Sequence, residues 1–142
     1  MVDKPAIDRM LENLKIYVAQ LERLSNLGQG EFLSDLDKLG SAKYYFIVAI
    51  ESCIDIADHV ISSERYRRPT DFADSFAVLY ENGLIEKGLE ERLQNMARFR
   101  NLLVHVYGKV DDKRVYEFLK ANLGDFDAFA RQIAQATEKL DS

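Results

Sequence analysis

One cysteine, two prolines, seven glycines and two histidines are all this 142-residue chain has of the residues that announce a disulfide scaffold, a hinge or a metal centre. The lone Cys53 closes no internal disulfide, and its apolar helical surroundings predict a buried, reduced thiol. Proline and glycine are too sparse to mark a linker, and no serine-rich stretch replaces them, so residues 1–142 are expected to form one domain. No apolar run reaches the length of a membrane span: the richest, Tyr44 to Ile50, is cut off by Glu51 and then by Asp55 and Asp58. The opening Met1-Val2-Asp3-Lys4-Pro5 lacks the apolar block of a secretory signal, which predicts a cytoplasmic protein with no membrane contact.

A cationic excess is missing as well. The net charge of −5 argues against a protein that coats nucleic acid non-specifically, because the phosphate backbone rewards surplus Lys and Arg. Gly28-Gln29-Gly30 is not followed by the Lys and Ser/Thr of a phosphate-binding loop, which argues against nucleotide hydrolysis. His59 has Asp58 beside it and Asp55 one turn back, but no second His or Cys stands at ligand spacing. A plain polar contact is the expectation for His59, with no metal and no cofactor. No serine or cysteine has a histidine at the local spacing of a nucleophilic site.

What remains is helix. Ile7, Leu11, Leu14, Val18 and Leu21 step 4-3-4-3 along one stripe, predicting a first helix from about Pro5 to Leu27. A short helical stretch around Glu31 to Lys38 leads into a second long helix, from about Leu39 to Ser63. That helix is apolar over most of its surface, so it belongs in the middle of a bundle or at a subunit interface. Thr70 is the expected N-cap of a helix ending at Gly83. Another runs from near Ile85 to about Tyr107, with Gly108 as its stop. Asp111 or Asp112 caps a short helix through Lys120, and a last helix spans about Gly124 to Leu140. The predicted class is all-α, an up-and-down helical bundle with additional short helices.

Charge is uneven along this acidic chain. Arg92, Arg98, Arg100, Lys109, Lys113 and Arg114 face only Asp111 and Asp112 over their span, and Arg65, Arg67 and Arg68 form a second cluster. These are either ordinary solvated cations or a local basic site suited to touching a few phosphates. One of them breaks the pattern of its own helix. At ~100° per residue, Leu89, Leu93, Met96, Leu103 and Val104 fall within about 60° of one another's mean direction, and Arg100 lies at its centre. A guanidinium cannot shed its proton to escape burial, so it needs a carboxylate, a phosphate or water. Glu51, Asp55 and Asp58, spaced along one face of the central helix, could supply a purely structural partner. The other reading is a functional site, because sites are where a sequence violates its own pattern.

Asn101, His105 and Tyr107 follow in the string Arg100-Asn101-Leu102-Leu103-Val104-His105-Val106-Tyr107. Arg100 and His105 diverge by about 140° on an ideal helix and sit about 7.5 Å apart along it, so one copy does not easily aim both at one atom. A second copy across a two-fold axis reconciles them, which predicts a homodimer.

These eight residues resemble the RNxxxHxY motif of HEPN domains, in particular the HepT branch, and the helix order over nearly the whole chain is compatible with it. The resemblance implies a HEPN-like fold and a metal-independent endoribonuclease toxin, its two motif copies lining one dimer cleft. It assigns catalysis to Arg100 and His105, a supporting role to Asn101, and substrate contact together with inhibitory adenylylation to Tyr107. The implied partners are RNA and an MntA-like nucleotidyltransferase antitoxin. The chemistry agrees with the residues. RNA carries its own nucleophile, histidine can act as acid or base near neutral pH, and arginine is a forked, permanently charged phosphate ligand. Two other readings stay open: a non-catalytic helical adaptor for a nucleotidyltransferase, and a bundle that binds a small ligand at its dimer axis.

Overall fold

A computed structural model describes residues 2–105 and 111–141, and among them the chain forms seven helices and no strand. These are α1 (Lys4–Ser25), α2 (Gln29–Leu33), α3 (Leu36–Ser63), α4 (Phe72–Glu81), α5 (Lys87–His105), α6 (Asp112–Ala121) and α7 (Leu123–Asp141). The four long helices close a ring, since α1 packs on α3, α3 on α5, α5 on α7 and α7 on α1. The shorter α2, α4 and α6 cover its flanks, and no described helix is long and apolar enough to cross a membrane.

The apolar α3 takes the place its composition demands. It touches every other helix, and Phe46, Ile50, Cys53, Ile56 and Val60 are fully enclosed. Burial pushes the Cys53 thiol far above its ordinary range, so it stays neutral and packs as an apolar group.

Several helix ends differ from the sequence expectation, and capping explains those of α2, α3 and α4. The Asp35 carboxylate accepts from the backbone N–H groups of Asp37 and Lys38, so α3 begins at Leu36 and α2 is confined to Gln29–Leu33. Asp71, not Thr70, caps α4: it accepts from the N–H of Asp74 at 2.7 Å, while Thr70 donates to the Asp74 side chain. Leu84 and Ile85 are buried in the connection before α5 rather than in its first turn. Asp111 is the cap of α6, accepting from the N–H of Lys113.

An aromatic cluster sets the rotation of α5. Phe99 stacks on Phe118 of α6 with centroids 4.1 Å apart and meets Phe46 of α3 edge-on at 5.4 Å. With Phe99 fully enclosed between α3 and α6, the next residue is turned by ~100°. That turn brings Arg100 to the seam where α5 meets α3 and α4.

Candidate active site

Arg100 is the most heavily engaged side chain of that seam. Its Nε and Nη2 donate to the same oxygen of Glu51 on α3, at 3.1 and 2.6 Å, and its Nη1 donates to the Asn101 side-chain oxygen at 3.2 Å. The guanidinium lies 4.9 Å from the ring centre of Phe72, the first residue of α4. This cation–aromatic contact shelters it from water without quenching its charge. The Arg100 side chain keeps only 13% of its surface exposed, whereas Glu51 keeps 37%. The structural partner foreseen in the sequence therefore exists, and it is Glu51 rather than Asp55 or Asp58. A guanidinium has five N–H donors, so the three bonds made here leave two unclaimed among the described residues.

The rest of the acidic stripe does other work. Asp58 accepts a 2.7 Å hydrogen bond from the Ser75 hydroxyl on α4. The Asp55 carboxyl is raised above the ordinary range, first by partial burial and then by the charges of Asp58 and Glu51. His59 departs from expectation: its Nε2 is enclosed and, among the described residues, has no hydrogen-bond partner in place of the polar contact foreseen. Asp55 and Asp58, the acids beside it in sequence, are both exposed, while His59 turns inward. Among the described residues no group of three or more His, Cys, Asp or Glu side chains is gathered as a metal site.

Of the other motif residues, Asn101 and His105 are exposed, and His105 is the last described residue of α5. No contact joins Arg100 to His105 among the described residues, as the divergence of the two on one helix leads one to expect. Tyr107, and with it the foreseen stop at Gly108, lies outside the described residues. Among the described residues, the basic span around the motif does not gather into one patch. Arg92 is tied to Asp125 of α7 at 2.7 Å, Arg98 donates to Asn95 of its own helix, and Arg114 lies over the Phe99 and Phe118 rings. Sequence reasoning missed Phe72 and singled out no role for it. A bulky aromatic directly after the Asp71 cap is the one local signal that it presents a ring beside a helix end.

A family model described as Ribonuclease HepT-like matches residues 14–133. The chain belongs to this family. The match to the HepT-like family takes in α2 to α6 whole, the second half of α1 and the first half of α7. The chain is similar to an mRNA nuclease HepT of Shewanella oneidensis, 35% identical over 79 residues that make up 56% of this chain and 59% of that relative. It is also similar to a tRNA nuclease HepT of Aphanizomenon flos-aquae, 22% identical over 132 residues covering 93% of this chain and 90% of the other. Among solved structures, a tri-AMPylated HEPN toxin of Shewanella oneidensis in complex with its MNT antitoxin superposes with a TM-score of 0.85. The two are 27% identical, covering 95% of this chain and 99% of that one, so the helical architecture is that of a HEPN toxin.

Proposed function

We propose that this HepT-like chain is a ribonuclease toxin that cleaves RNA without a metal, through Arg100 and His105 brought together across a homodimer. The carrying observation is the state of Arg100. It is a charge sheltered to 13% exposure, oriented by Glu51 and Phe72, with two donors left for a phosphate. The likeness to an mRNA nuclease and a tRNA nuclease supports RNA as the substrate.

The chemistry needs few parts. A base removes the proton of the 2′-hydroxyl, whose oxygen attacks the adjoining phosphorus. The bond from phosphorus to the 5′-oxygen breaks, and an acid supplies the proton to that oxygen, leaving a 2′,3′-cyclic phosphate and a free 5′-hydroxyl. His105, exposed at the end of α5, is the proton carrier, and Arg100 holds the charge that builds on the non-bridging oxygens. Asn101, bonded to Arg100, steadies it. The half-buried Leu102, Leu103 and Val104 form the contact with the second copy, which places one protomer's Arg100 opposite its partner's motif.

The antitoxin partner is an MntA-like nucleotidyltransferase that transfers adenylate to Tyr107. The structural relative carrying AMP groups in complex with an MNT antitoxin supports this. Negative charge added two residues beyond His105 would repel a phosphate and fill its site. A second reading, a non-catalytic adaptor, draws on the Glu51–Arg100 ion pair, which by itself is what a structural arginine makes.

The deciding experiment incubates the purified chain with RNA in chelator and compares it with Arg100→Ala and His105→Ala. Cleavage by the parent and its loss in both variants, with the dimer intact by sedimentation, is the expected result. Full cleavage by either variant overturns the assignment, and an inert parent chain leaves the adaptor.

A further inference from the structure

A cavity of about 490 Å³ opens beside the Arg100 site, between the end of α3 and the start of α4. Its lining includes Arg65, Arg68, Tyr66 and Phe72 with Ser75 and two carboxylates, Asp58 and Asp71. Phe72 belongs to both places, because the ring that lines the cavity is the one on which Arg100 rests.

The residues of the connecting loop have unlike assignments. Arg67 is consumed by the fold, bonded to both oxygens of Asp74 and both of Glu81. Arg65 and Arg68 are exposed, and among the described residues neither side chain has an ion-pair partner. Arg65 also occupies a position that favours glycine. At the end of α3 its N–H donates to the carbonyl of Ser62, and the N–H of Tyr66 donates to that of Ile61, with Arg65 at φ 58°. The end of α4 closes by the same two bonds, Gly83 to Tyr80 and Leu84 to Leu79, and there the left-handed position holds Gly83 at φ 78°. One chain thus uses glycine in one such turn and spends an arginine in the other, against its conformational preference.

We propose that this cavity is an RNA subsite, holding a nucleotide that flanks the scissile phosphate bound at Arg100. This rests on the ribonuclease reading given above. Charge along the cavity orients the nucleotide. Asp58 lies five residues, roughly 7 Å along the axis, before the last residue of α3, with Arg65 beyond that end, and its carboxylate repels phosphate, while the Asp71 carboxylate is engaged by the N–H of Asp74. The phosphate therefore sits at the Arg65 and Arg68 rim, and the base enters against Tyr66 and Phe72, whose rings offer a stacking surface. Asp58 and the Ser75 hydroxyl it receives supply acceptors for an amino group at the base edge.

The test measures binding of a fluorescein-labelled single-stranded oligoribonucleotide to the His105→Ala chain, with cleavage by the unsubstituted chain measured alongside. Adding Arg65→Gly and Arg68→Ala is expected to weaken binding by roughly tenfold and to lower the slope of log affinity against log salt by about one. Arg9→Ala with Arg131→Ala, two exposed arginines on other helices, removes equal charge elsewhere and is expected to change binding less than about twofold. Arg65→Gly alone is expected to raise the melting temperature by roughly 2–4 °C while weakening binding, an opposition that a merely structural arginine does not produce.

Undiminished binding in the Arg65/Arg68 pair overturns the subsite, as does an equal loss in the Arg9/Arg131 pair. If the unsubstituted chain cuts RNA while the Arg65/Arg68 variant binds undiminished, only the subsite falls. If binding depends on Arg65 and Arg68 but no RNA is cut, the cavity binds RNA, while the nuclease reading falls and with it the place of this nucleotide beside a scissile phosphate.

Discussion

Arg67 and Arg100 are both arginines bonded to carboxylates on a neighbouring helix, yet the molecule treats them oppositely. Arg67 is 43% exposed and faces two acids, Asp74 and Glu81, each meeting it with both oxygens. Arg100 is 13% exposed and faces one acid through one oxygen. The first arrangement engages four of the five donors of a guanidinium where water already screens it and faces it with two carboxylates, which locks the loop after α3 onto α4. The second shelters the charge and leaves donors free, which is poor use of an arginine for stability alone and good use for gripping a phosphate. Two carboxylates on an exposed guanidinium against one on a sheltered guanidinium, more than the presence of an ion pair, separate the structural arginine from the candidate catalytic one.

Substituting lysine at both positions is the strongest way to break that contrast. Arg100→Lys keeps the charge and loses the fork, so RNA cleavage should fall by roughly 10²–10³-fold with little change in melting temperature. Arg67→Lys should lower the melting temperature and leave cleavage as it was. Initial rates and thermal melts on the two proteins check this, and a large cleavage loss in Arg67→Lys would erase the distinction. Next in size is Glu51→Gln, which removes the charge that aims Arg100 while preserving its shape. Cleavage is expected to drop about tenfold, mostly in kcat, because the amide still accepts one hydrogen bond. An unchanged rate would mean that Glu51 serves the fold only.

The smaller effects lie on the Arg67 side. Hydrogen bonds from Arg67 and from the Thr70 backbone hold the Asp74 carboxyl well below the usual carboxylate range. A depressed carboxylate contributes stability that is present above its unfolded pKa and is lost as pH falls through its folded one. Asp74→Asn should therefore lower the melting temperature by roughly 3 °C near neutral pH. The gap to the parent should close as the pH drops below about 4. A gap that persists at low pH would assign the effect to lost packing.

How far all this was legible in the sequence differs between backbone and site. Apolar spacing located the long helices, because a stripe of Ile7, Leu14, Val18 and Leu21 has only one way to be buried. Helix ends were less legible, since Asp35 and Asp71 competed with Thr70 and Leu39 for the boundary and only the folded backbone settles which side chain reaches an N–H. Arg100 stood out because it interrupts its own stripe. Its seat on Phe72 could not be read, being a contact between α4 and α5 that no local spacing encodes. The Arg65 turn was equally hidden, because the positive φ comes from how α3 ends and not from residue type.

Asp55 sharpens the comparison from the other direction, as a carboxylate that has no arginine. It stands one turn after Glu51 on α3, and burial together with the neighbouring Asp58 and Glu51 charges raises its carboxyl above the ordinary range. A raised carboxyl costs stability when ionised, so the penalty is present above the folded pKa and vanishes below the unfolded one. Asp55→Asn is thus expected to give a small gain in melting temperature near neutral pH, fading as the pH falls toward about 4, which is opposite in sign to Asp74→Asn. Thermal melts of both variants across that range decide it. Parallel behaviour of the two would show that proximity to a guanidinium does not govern these acids, and with it the contrast between a doubly and a singly paired arginine would lose its electrostatic basis.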